Sequence, residues 1–149
     1  MKNEVNEIKI SYCEKLGVFD SKSLSDSTYV AQLLHETWNK DTLGLQETFK
    51  VLLLNHSNKI KGIVPLSTGG ITGTFVDLRI LFAVVLKTLS TGIILAHNHP
   101  SGTLIPSGAD KDLTRKIQNA AVLFDIKVLD HLIIVPTGGY FSFAEQGIL

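Results

Sequence analysis

The sequence predicts an α/β domain: one mixed central β-sheet flanked by helices. Three observations predict it. Strand-like segments alternate with segments of helical period along the chain. The apolar content is 44% against 19% charged residues, with no long run of one sign, as in a compact globule and not a disordered tail. The length of 149 residues suits one ordinary domain, which buries roughly 68 to 70% of its unfolded surface.

In chain order, "EIKISY" is a short alternating piece, and "DSKSLSDS" supplies N-cap candidates. A helix is expected from about Thr28 to Trp38, because Val30, Leu33, Leu34 and Trp38 fall at helical spacing. "QETFKVLLLNHSNKIKGIVPLS" reads as a hairpin of strands near 47–54 and 59–66 with a turn at His56, Ser57 and Asn58. "GGITGT" is a glycine-rich connection, and Val76 to Leu89, apolar nearly all round, predicts a helix buried between layers. Ile93 to Ala96 predicts a short buried strand. Leu113, Ile117, Ala120, Ala121 and Phe124 mark an amphipathic helix. "IKVLDHLIIV" and "GYFSFA" predict two closing strands, separated by Pro136, Gly138 and Gly139. We divide the chain into an N-terminal strand and helix extension, 1–40, packing on a domain at 41–149.

Fourteen basic and fourteen acidic residues cancel, so charge gives no support to a broad nucleic-acid-binding face. Cys13 is the single cysteine. No intrachain disulfide or thiolate-rich zinc cluster is then possible, and any metal must be held by nitrogen and oxygen. The N-terminus has no signal-like apolar run, and Ile80 to Leu95 is broken by Lys87 and Ser90-Thr91-Gly92. A cytoplasmic location with no membrane partner is the expectation; the sequence does not choose an oligomeric state.

The chemistry concentrates in "ILAHNHPSGTLIPSGAD". In an extended backbone, residues i and i+2 share a face, so His97 and His99 can converge on one cation. Asp110 follows across a loop long enough to fold back. Two histidines and one carboxylate leave a fourth tetrahedral position for water, as in catalytic zinc sites. The bland reading explains the same residues: Ser107 and Asp110 form a Ser-x-x-acid capping box, and the histidines end a strand. The two are compatible, and with this chain's composition the joint spacing arises by chance on the order of once per thousand chains. Asn98 faces away from the histidines and is expected to tie the loop to neighbouring backbone, while Ser101 and Gly102 shape the turn. Asp130 and His131 form a polar pair in an apolar strand; one of them can orient a metal-bound histidine, or both can be satisfied core groups. His35 and His56 read as surface residues. "LSTGGITGT" lacks the Lys-Ser/Thr of a phosphate loop.

His-x-His, seven residues, then Ser-x-x-Asp resembles the JAMM signature of the JAB/MPN metalloprotease superfamily. With "VDLR" upstream and "VLDHLIIV" and "GYFSFAEQG" downstream, the chain resembles its RadC-like branch over roughly residues 47 to 147. The resemblance implies an MPN/JAB, cytidine-deaminase-like architecture and one Zn²⁺ on His97, His99 and Asp110. It implies Glu47 as general base, where the residues alone leave a solvated strand end equally open. Ser107 would then assist as oxyanion donor. The implied substrate is a peptide or isopeptide bond, in a protein partner that includes ubiquitin-like ones. Two departures stand out. The chain is too short for the helix-hairpin-helix-like region of long RadC proteins, and Leu78 replaces a proline usual before Arg79. The competing expectations are a DNA-repair or mobile-element accessory protein and a non-catalytic metal-binding scaffold. A zinc nucleobase deaminase would need His-x-Glu and paired cysteines, which one cysteine cannot supply.

Overall fold

A computed structural model describes Leu24, residues 26–70 and residues 75–149. "EIKISY" and residues 71–74 of the glycine-rich connection lie outside the described residues. Five strands form one mixed sheet in the order β2-β1-β3-β4-β5. The class is α/β, as the sequence predicts.

Helix α1 (Ser27–Thr37) is capped by Asp26, whose side chain accepts from the Thr28 amide. A single-turn helix, α2 (Lys40–Leu43), follows; four residues are too few to carry a periodic signal in the sequence. Strands β1 (Thr48–Leu54) and β2 (Ile60–Thr68) pair antiparallel. Their turn is set by Asn55, whose side-chain oxygen accepts from the Ser57 and Lys59 amides, and by Asn58 at positive φ. Strand β2 lies at the sheet edge, where Pro65 leaves no ladder donor missing from the interior.

Helix α3 (Leu78–Lys87) is capped by Asp77 and leads into β3 (Gly92–Asn98), every residue of which is buried. Helix α4 (Gly108–Val122) then crosses to β4 (Lys127–Ile134), which lies parallel to β3, and β5 (Tyr140–Ser142) closes the sheet antiparallel to β4. A parallel pair needs such a crossover, and α4 supplies it.

Two cores follow from the period-two alternation of the strands. On one face Leu52, Leu54, Ile94, Ala96, Leu132 and Ile134 pack against Val30, Leu34 and Trp38 of the α1 region. On the other, Val51, Leu53, Ile93 and Leu95 meet Leu81 and Val85 of α3 and Ile117 and Ala121 of α4. One expectation needs correcting. Helix α3 is not buried between layers: Leu81, Phe82 and Val85 face the sheet, whereas Ile80 and Leu86 are 53% and 43% exposed, as is Leu89 beyond the helix at 69%. Its all-round apolarity hid a one-sided packing. Among the described residues no helix is long and apolar enough to cross a membrane.

Candidate metal centre

The alternation that builds β3 also aims its histidine. Ile93 and Leu95 point to the α3/α4 face, so His97 points there too, and it is 1% exposed. His99 follows one residue past the strand, on the same parity, half-buried at the carboxyl end of β3. Ligand sites of open α/β sheets gather at that end, next to a helix N-terminus. Here the helix is α4, and the loop between is shaped as expected: Gly102 takes φ +83° and its amide donates to the His99 carbonyl.

Ser107 caps α4 in the capping box read from the sequence. Its hydroxyl accepts from the Asp110 amide at 3.1 Å, and its own amide donates to Asp110 Oδ2 at 2.7 Å. The box holds the carboxylate so that Oδ1 lies 3.3 Å from His97 Nε2 and Oδ2 lies 3.5 Å from His99 Nε2. The two Nε2 atoms are 3.0 Å apart. Ligands of a tetrahedral ion with metal–nitrogen bonds of about 2.0–2.1 Å stand about 3.3 Å apart, which is the spacing seen here.

Proton counting supports the same fit. His99 Nδ1 lies 2.7 Å from the Thr103 carbonyl, which can only accept, so Nδ1 carries the ring proton and Nε2 a lone pair. That lone pair faces His97 Nε2 and a carboxylate, and a shared cation resolves the contact. His97, His99 and Asp110 are therefore a group that can hold a metal ion. Burial pushes the Asp110 carboxyl up, but the two imidazoles beside it, the His97 charge and the Ser107 amide overcome it and hold it well below the usual carboxylate range. With no cation on it, His99 Nε2 takes up a proton more readily: the Asp110 carboxylate chiefly raises His99 above the ordinary imidazole value, against the opposing effect of burial.

Glu47 lies two residues before Phe49, the residue paired with His97 in the β1–β3 ladder, and so on the same face. Its carboxyl is raised above its ordinary value, first by burial and then by the Asp110 charge, while the two imidazoles oppose the shift. The sheet thus brings together residues fifty positions apart. The chain around Glu47 is fixed on both sides: its carbonyl accepts from the Gly69 amide at 2.7 Å and its amide donates to Gly70 at 3.2 Å. Asn98, fully buried and pointing to the opposite face, anchors the approach to β1. It accepts from the Thr48 amide at 2.7 Å and donates to the Leu43 and Gln46 carbonyls at 2.7 and 2.9 Å.

Asp130 and His131 turn to opposite faces of β4. Asp130 binds the Ser27 and Ser142 hydroxyls at 3.1 and 2.6 Å and the His131 and Ala144 amides at 2.7 and 3.0 Å, tying α1 to β4 and β5. His131 instead lies behind the candidate ligands, its Nε2 2.8 Å from His97 Nδ1 and its Nδ1 2.6 Å from the Thr114 hydroxyl. Burial, and then the neighbouring His97, hold it well below the ordinary imidazole range. Phe49 stacks over His97 with ring centroids 6.1 Å apart, and Phe143 over His131 at 4.6 Å. Thr114 was not singled out by sequence reasoning. Its signal was a polar residue four positions after Asp110, on the face of α4 that otherwise buries Ile117 and Ala121. His56 is exposed in its turn, whereas His35 is half-buried with Nε2 3.4 Å from the Gly139 carbonyl.

Comparison with known proteins adds the ancestry. Residues 24–148 match the family described as RadC-like JAB domain. A UPF0758 protein of Flavobacterium johnsoniae is 54% identical over 102 residues, covering 68% of this chain and 44% of that protein. One from Porphyromonas gingivalis is 49% identical over 104 residues, 70% of this chain and 46% of its own length. A third, from Symbiobacterium thermophilum, is 42% identical over 103 residues, 69% and 44% respectively. The chain spans just under half the length of these relatives.

Proposed function

The chain belongs to the RadC-like JAB domain family, and from that premise we propose that it is a zinc-dependent hydrolase of the JAMM type, cleaving a peptide or isopeptide bond in a protein substrate. The observation that carries the reading is the convergence of His97 Nε2, His99 Nε2 and the Asp110 carboxylate within 3.0 to 3.5 Å of one another, with Glu47 on the same face of the sheet through the Phe49–His97 register. Zinc held there would supply Lewis acidity, lowering the pKa of a water towards ~7 and polarising a carbonyl.

The chain's own residues do the rest. Glu47, its carboxyl raised by burial, takes the proton of the attacking water and hands it to the leaving amine. Ser107 accepts from the Asp110 amide through Oγ, which leaves its hydroxyl hydrogen to donate to the substrate oxygen as charge develops.

The test is elemental analysis of the purified protein with hydrolysis assays on ubiquitin-like fusions and peptides, using Glu47→Gln as control. Near-stoichiometric zinc and cleavage lost only in the variant are expected; a wild type without zinc overturns the reading.

A further inference from the structure

Behind the candidate ligands runs a chain of three short contacts whose protons can be placed one way only. The Asp110 carbonyl lies 2.6 Å from the Thr114 hydroxyl, that hydroxyl lies 2.6 Å from His131 Nδ1, and His131 Nε2 lies 2.8 Å from His97 Nδ1. A carbonyl cannot donate, so the Thr114 proton goes to Asp110; placed on His131 instead, it would leave two oxygens in contact with no proton between them. Thr114 must then accept, and His131 carries its proton on Nδ1. His131 Nε2 is thereby a bare acceptor, which requires the proton of His97 on Nδ1. Nε2 of His97, facing His99 and Asp110, is left with its lone pair.

We propose that Thr114 and His131 are positioning residues that set the ring tautomer of His97 and so prepare it as a metal ligand. The chain of bonds starts and ends on candidate ligands: Asp110 through its main-chain carbonyl, His97 through its imidazole. All three linking side chains are buried, Thr114 at 2%, His131 at 0% and His97 at 1% exposure, so water does not compete for the protons. Phe143 stacked on His131 and Phe49 on His97 hold the ring planes. The partner behind a metal-bound histidine is commonly a carboxylate or a backbone carbonyl. A neutral imidazole in that place orients the ligand without adding negative charge. The available carboxylate, Asp130, is spent on the other face of the strand.

The inference rests on the metal reading above, and its test separates the two. Two-bond ¹⁵N–¹H spectra of the histidine rings are recorded on metal-free wild type, Thr114→Val and Thr114→Ser, and each protein is titrated with zinc. Wild type should show both His97 and His131 protonated on Nδ1. Thr114→Val, nearly isosteric but unable to accept, should lose that pattern and bind zinc 10- to 100-fold more weakly, while Thr114→Ser restores both. A wild-type spectrum with His131 protonated on Nε2, or with His97 lacking its proton on Nδ1, overturns the inference without reference to any variant. Unchanged zinc affinity in a folded Thr114→Val also overturns it. Failure of the wild type to take up zinc, with the predicted tautomers in place, overturns the metal reading and with it the purpose assigned to Thr114 and His131.

Discussion

Nε2 of His97 lies 3.3 Å from Oδ1 of Asp110, so the end of a buried strand and the first turn of the next helix meet at one point. The same Asp110 carboxylate closes the capping box of α4. Ligand and cap are one group, and a substitution there has two consequences. In Asp110→Ala, zinc measured by elemental analysis should fall to background. Unfolding followed in chelator should show a further loss of about 1 kcal/mol from the broken cap. Retained zinc would remove Asp110 from the ligand set.

Glu47→Gln should abolish hydrolysis while keeping the metal, since Gln preserves shape and cannot take a proton. Stability provides a second reading. The Glu47 carboxyl is raised above 4.5 chiefly by burial, so its contribution favours folding below that pH and is lost as pH rises through the folded value. At pH 7 the charged form therefore costs stability that Gln does not. Denaturant unfolding in chelator should find Glu47→Gln the more stable at pH 7, by no more than about 1 kcal/mol because the carboxyl is partly in solvent. The gap should close by about pH 4.

Ser107 carries two assignments that two variants pull apart. Ser107→Ala removes both the cap acceptor and the hydroxyl donor, costing about 1 kcal/mol of stability and on the order of 10²-fold or more in kcat. Ser107→Asp keeps an N-cap acceptor but donates nothing. Its melting temperature should stay near wild type while kcat stays low; recovery of kcat would leave Ser107 as a cap alone.

Asp130 should matter for folding and not for the metal. Its carboxylate accepts from two hydroxyls and two amides in a nearly dry site, so Asp130→Ala strands several donors, with a loss of about 3 kcal/mol or more. Zinc affinity of the folded fraction, measured by titration below the melting transition, should be unchanged. A fall comparable to that expected for Thr114→Val would show that β4 communicates with the site from both faces.

Much of the fold was legible because its signals are local. The hairpin of β1 and β2, the amphipathic period of α4 and the apolar run of β3 each reside in a few neighbouring residues, and each element formed near its expected position. The misjudged features were those that neighbours do not encode. Helix α3 has an apolar sequence on all sides, and only the placement of the sheet decides that Leu81 and Val85 are covered while Ile80 and Leu86 are not. The single turn α2 depends on capping by Asn39 and on burial of Leu43, not on periodicity.

The site divides the same way. By itself the sequence determined the His97/His99 pair, through the two-residue period of a strand, and the Ser107–Asp110 box, through the three-residue reach of a helix cap. Both are backbone geometries that hold wherever the segment sits. The family resemblance named Glu47, but the residues alone left a solvated strand end equally open. The tertiary structure supplies the physical reason for its place, because the Phe49–His97 register of β1 against β3 carries Glu47 across fifty residues. Only the tertiary structure separated Asp130 from His131 and recruited Thr114. Adjacent residues of a strand face opposite sides, and what awaits each side is set by the order in which strands and helices pack.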